Sequence, residues 1–187
     1  MPRERFAWFI PALLLVPSLS LADPAKAPQK PPPAPEVKKT VDAFAGSTPF
    51  DCELSAPGMD KPARFKMSFS CKKTALGRAV QCASSAPKTP MGPWEGHFMI
   101  AYDEGGKAVH FMAVTSEAEV HDHVCQWKDP QTLTCDPLKY ALPTGGTATE
   151  DVTMTWSGKK VTFTSTEVMA DGSKAVFHGT GTRTGKP

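Results

Sequence analysis

The sequence predicts an all-β fold: an antiparallel meander of about ten strands wrapped into a barrel. Three observations predict it. From about residue 50 the apolar residues recur with period two, the signature of strands that have one core face and one wet face. Short turns rich in Gly, Asp and Pro separate these runs, leaving little room for the dozen-residue crossovers that parallel strands need. No convincing amphipathic helix lies among them. Closing such a sheet on itself removes its exposed edges, which favours a barrel over the alternative, a two-sheet sandwich.

Two segments precede this region. Residues 1–22 read as a signal peptide, with Arg3 and Arg5 ahead of an apolar run from Phe6 to Val16 and small residues Ser20 and Ala22 before Asp23. The run is shorter than the ~20 residues of a membrane span. Export to the periplasm or the extracellular space is therefore expected, with no membrane span after cleavage. Residues 23–43 form a Pro-rich linker, its prolines favouring extended polyproline II. Within it, Thr40 to Ala45 permits a short helical turn, with Val41 and Phe44 on one side. Residues 44–187 are left for the β domain.

The formal charge is +2, from 21 basic and 19 acidic residues. Removing residues 1–22 leaves 19 against 18. So even a balance gives no broad basic field, and nucleic-acid binding is not expected.

The strands follow in order. Phe50, Cys52 and Leu54 alternate with Asp51 and Glu53, and Phe65, Met67, Phe69 and Cys71 alternate with Lys66, Ser68 and Ser70. Further strands are expected over 78–84, 94–102, 107–115, 121–128, 131–135, 152–156, 160–168 and 175–183. The turn around Gly105-Gly106 suits a tight hairpin because glycine accepts positive φ.

Five cysteines in an exported chain are more often paired than reduced. In a hairpin, directly opposed residues have numbers that add to a constant. A turn centred between Leu76 and Gly77 sets Cys71 opposite Cys82, and one centred on Pro130 sets Cys125 opposite Cys135. Opposed Cα atoms lie ~4.5–5.5 Å apart, within reach of a disulfide. Bridges Cys71–Cys82 and Cys125–Cys135 are expected, with Cys52 a buried free thiol.

Phe44-Ala45-Gly46-Ser47 with Phe50-Asp51-Cys52, Ala101-Tyr102-Asp103 with Gly105-Gly106-Lys107, and Ala170-Asp171-Gly172-Ser173 occur in an informative order. Together they resemble a lipocalin-like (calycin-type) family of secreted bacterial proteins that carries only a domain-of-unknown-function label. The resemblance implies a barrel whose interior takes a small apolar ligand, and it implies no activity.

Two functional readings follow. The first is a non-catalytic binding module without a cofactor, its pocket for a small apolar molecule lined by Trp94, Phe98, Phe111, Trp127 and Trp156, although core packing also accounts for the tryptophans. The second is a metal- or haem-binding protein. His97 and Met99, His110 and Met112, and His121 and His123 lie on three successive strands. If both intervening turns have two central residues, Met112 lies opposite Met99 and His123, and all six share one face. Imidazole with thioether suits copper, or haem through one axial histidine. A one-residue change in either turn divides the set. An enzyme is not expected, since the chain has no Gly-x-Ser-x-Gly elbow, phosphate loop or dinucleotide fingerprint.

Overall fold

The computed structural model describes residues 32–143 and 145–184. One helix, α1 (Pro35–Phe44), leads into eleven strands: β1 (Gly46–Ser55), β2 (Ala63–Thr74), β3 (Ala79–Thr89), β4 (Gly92–Asp103), β5 (Ala108–Thr115), β6 (Val120–Trp127), β7 (Thr132–Cys135), β8 (Leu138–Ala141), β9 (Thr147–Ser157), β10 (Lys160–Met169) and β11 (Lys174–Thr182). Every pairing is antiparallel. Each strand from β1 to β7 joins the next, β7 pairs with β9, β9 with β10, β10 with β11, and β11 returns to β1 to close a ten-strand barrel. The expected fold class is the observed one. The signal peptide expected over residues 1–22 lies outside the described residues. Among those described, no helix is long and apolar enough to cross a membrane.

The eleventh strand, β8, is a continuation rather than an addition. β10 occupies one edge of β9 from Ala148 to Ser157, so β7 and β8 share the other edge. Thr132 pairs with Thr155, but Leu138 pairs with Glu150, a shift of one residue across Asp136-Pro137. Such a bulge changes which side chains face in. Before it Leu133 and Cys135 point to the core; after it Leu138 and Tyr140 do.

The cysteines pair as hairpin parity requires. Cys71 opposes and bonds Cys82, Cys125 opposes and bonds Cys135, and Cys52 is free and buried. With sequence separations of 11 and 10, each bridge contributes about 3 kcal/mol by restricting the unfolded chain. Both lie inside the lower half of the barrel, the half where β1 begins.

α1 closes that lower end, and here the linker boundary at residue 43 is corrected. Pro35 occupies the first turn, where its missing N–H costs nothing, and Glu36 suits the positive helix end. Val37, Thr40, Val41 and Phe44 then recur at helical spacing and are all buried. The Pro-rich composition obscured this face. Burying Val37, Val41 and Phe44 supplies roughly 1.5–3 kcal/mol each. Phe44 meets Trp156 edge-on at 5.3 Å and Phe111 at 6.1 Å. Trp127 Nε1 donates to Thr40 Oγ1 (3.1 Å), and Trp156 Nε1 donates to the Ala43 carbonyl (3.1 Å). Lys39 Nζ sits 3.9 Å above the Trp127 ring. Arg183 Nη1 donates to the Ala43 carbonyl at 3.1 Å, tying the last strand's end to the helix.

Closure at the β1–β11 seam requires glycine. Gly181 opposes Phe50, and a Cβ there would lie 2.6 Å from the Pro49 carbonyl oxygen.

Candidate functional site

The upper half of the barrel is hollow. A cavity of about 230 Å³ lies between two unlike walls. One comes chiefly from β1 to β5 and the neighbouring strands β10 and β11, and is aromatic. Phe69, Phe98 and Phe111 form a chain of rings with centroids 5.3 Å apart, and Phe177 bridges Phe65 (6.0 Å) and Phe163 (5.5 Å). The other wall, from β6, β9 and β10, carries His121, His123, Glu150, Ser165 and Glu167, with Glu117 and Glu119 above it. Met91, 69 % exposed at the β3–β4 turn, marks the rim.

The polar wall depends on one turn. The expected two-residue turn at Glu117-Ala118 would have set Met112 opposite His123. Instead the Thr115 N–H donates to the Glu119 carbonyl at 3.0 Å, and Ala118 takes φ +61°. That adds one residue to the loop, so Phe111 opposes His123 and Met112 opposes Asp122. The parity of β6 is reversed, and His121 and His123 turn inward.

The six-residue His/Met set is therefore divided by the barrel wall. Met99 does oppose Met112, and His110 opposes Ala101, as the first turn predicts. These side chains face out: His97 is exposed, Met99 and Met112 are partly exposed, and His110 Nδ1 pairs with Asp122 on the surface at 3.1 Å. The shared-face ligand set for copper or haem is not formed. The pocket set is also divided. Trp94, Phe98 and Phe111 line the cavity, whereas Trp127 and Trp156 meet at a tilt, 5.1 Å apart, beneath α1 and belong to the lower core.

In place of the His/Met set stands a buried His–His–Glu cluster. Glu150 Oε2 lies 3.3 Å from His121 Nδ1 and 3.1 Å from His123 Nε2, while Ser165 donates to Glu150 Oε1. One donor atom from each of the three residues falls within 4.8 Å of the others. Burial pushes the Glu150 carboxyl up, but hydrogen bonds from His121, His123 and Ser165 outweigh it and hold the group down at about 2. For His121, burial opposes the charged ring, and the neighbouring Glu150 and Glu119 more than compensate, so its pKa is raised.

The outer carboxylates behave oppositely. Glu119 is raised by burial and by Glu117, Glu167 and Glu150 nearby; Glu167 is raised by burial and by Glu150, against a hydrogen bond from Tyr140. The Tyr140 hydroxyl is raised well above its ordinary value by burial and by Glu167 and Glu150. Its ring stands 4.2 Å from that of His121, placed there by the Asp136-Pro137 bulge. Cys52 is pushed up to about 12 by burial and by Asp51, so it remains a thiol.

Glu150, Glu167 and Tyr140 were not singled out in the sequence. Glu150 and Glu167 do carry a signal, each falling in the inward phase of an otherwise apolar strand (Ala148, Val152, Met154; Val161, Phe163). Tyr140 carries none, because its facing depends on the bulge.

No family model matches this chain, and no curated protein matches it. Among solved structures it is similar to Rv2717c from M. tuberculosis, with a TM-score of 0.62 at 10 % identity, over 81 % of this chain and 99 % of that one. It is also similar to a redesigned β-barrel, with a TM-score of 0.40 at 14 % identity, over 79 % and 96 %. The first likeness shows the fold alone: a ten-strand antiparallel barrel.

Proposed function

We propose that this protein is an exported, non-catalytic, lipocalin-like module that binds a small, mostly apolar molecule in the upper half of its barrel. The observation that carries the reading is the pairing of an aromatic wall with a single polar wall around one cavity. Ligand pockets are mostly apolar, with a few convergent polar groups that fix orientation. The apolar body lies against Phe69, Phe98 and Phe177, and the polar end points to His121, His123 and Glu150. A cavity of about 230 Å³ suits a small molecule rather than a peptide. Export is supported by the leader-like residues 1–22 and by two disulfides, which persist in oxidising compartments. A non-catalytic role is supported by the hydroxyl of Ser165, which donates to a carboxylate rather than an imidazole, and by the protonated Cys52.

The test is a fluorescence titration of the purified protein with N-phenyl-1-naphthylamine, an apolar probe that brightens on leaving water. The expected result is saturable one-to-one binding. Ala113→Phe, which adds a ring inside the cavity, should weaken it at least tenfold while both disulfides and the β-sheet circular dichroism are retained. Equal binding by this variant, or none by the unaltered protein, would overturn the reading.

A further inference from the structure

We propose that His121, His123 and Glu150 form a binding site for one divalent transition-metal ion of the zinc class, inside the barrel and open to the cavity. The donors are two imidazole nitrogens and one carboxylate oxygen, a set that holds zinc with a further position free. Four donors around zinc at ~2.1 Å stand about 3.4 Å apart. Glu150 Oε2 is 3.3 and 3.1 Å from the two facing nitrogens, close to that edge. His-x-His on β6 supplies two donors from one face of one strand, and β9 supplies the third from across the interrupted β7–β8 edge.

Two further observations point to a cation. The other nitrogens, His121 Nε2 and His123 Nδ1, are buried with no hydrogen-bond partner, although His123 is only 3 % exposed. Buried polar atoms without partners are costly. When an ion displaces the protons between the rings and Glu150, those nitrogens become the N–H groups, and His121 Nε2 then faces Glu119 Oε2 at 3.7 Å. A carboxylate behind a metal-bound histidine is a recurrent support for such sites. The second observation is charge. Glu117, Glu119, Glu150 and Glu167 line this cavity with two imidazoles, and no lysine or arginine lines it among the described residues. A dication answers that excess; an anionic ligand alone would add to it.

The exterior histidines serve as controls. Tag-free protein is stripped with a chelator, then titrated with Zn²⁺ by calorimetry and with Co²⁺ by visible absorption. The expected result is one ion per chain, with cobalt bands of a low-coordinate nitrogen–oxygen site. Glu150→Gln and His123→Ala should each weaken zinc at least tenfold with the sheet's circular dichroism unchanged, while His97→Ala and His110→Ala leave it unaltered. Binding that persists in Glu150→Gln, or that is lost in His110→Ala, would overturn the proposal, as would no stoichiometric binding. The ion would occupy the side chains to which the apolar ligand's polar end points, yet neither reading requires the other. Repeating the naphthylamine titration in chelator separates them, because failure of zinc with retained probe binding removes the ion alone, and the converse removes the apolar ligand alone.

Discussion

The two ends of the barrel are built on opposite principles. The lower end is filled: α1, Trp127, Trp156 and both disulfides pack there, and each indole N–H has a partner. The upper end is hollow, lined by carboxylates, of which Glu150 is buried, and by two buried imidazoles, two of whose nitrogens have no partner. Packing is concentrated at the end that holds no cavity. On the proposed reading, a cavity kept open for a ligand gives up packing, and the fold offsets this at its far end.

The largest expected effect tests the filled end. Trp156→Ala removes a 9 % exposed ring that meets Phe44 edge-on and Trp127 at a tilt, together with its hydrogen bond to α1. It should cost about 3–5 kcal/mol in denaturant unfolding. A loss below about 1 kcal/mol would mean that α1 is not a structural plug.

The hollow end should respond in the other direction. Replacing His121, His123 and Glu150 together by leucine removes a buried charged cluster with its desolvation cost. Such exchanges are neutral or stabilising by about 1–4 kcal/mol. Thermal unfolding without metal should show no loss of stability, and zinc binding should vanish. A strongly destabilised triple variant would mean that the cluster holds the barrel together, and the contrast between the ends would fail.

The smallest effect concerns pH at the plug. Asp42 is held below the usual carboxylate range by hydrogen bonds from Lys38 and Lys73, against partial burial. A carboxylate lowered in the folded state contributes stability above its unfolded value near 3.9, and that contribution is lost as pH falls through the folded value. The pair is partly exposed, so the effect should stay below about 1 kcal/mol. Asp42→Asn should lower stability by less than about 1 kcal/mol at pH 7, and its difference from the unaltered protein should close as pH falls below about 4.

What the sequence disclosed depended on whether position numbers or backbone conformations carried the answer. Cys71–Cys82 and Cys125–Cys135 followed from hairpin sums, because both turns are symmetric about their centres. The histidine cluster did not follow, because Ala118 adopts a left-handed conformation that nothing about an alanine announces. One residue then moved His121 and His123 from the outer face to the inner. β8 was missed for a related reason, since Asp136-Pro137 resembles the end of a strand when it is a bulge within one. α1 was foreseen only over its last turn. Its first turn shares the composition of the proline run before it, so the sequence placed Val41 and Phe44 on one face but not Val37.

Cys52 carries a consequence for the protein's history. Enclosed in the finished barrel, its sulfur keeps its proton at ordinary pH and cannot attack. In the open chain it regains an ordinary acidity near 8.5, beside four cysteines seeking partners. The wrapped sheet thus acts as a sheath over a reactive atom. A chain unfolded under mildly alkaline, oxidising conditions would therefore shuffle its bridges.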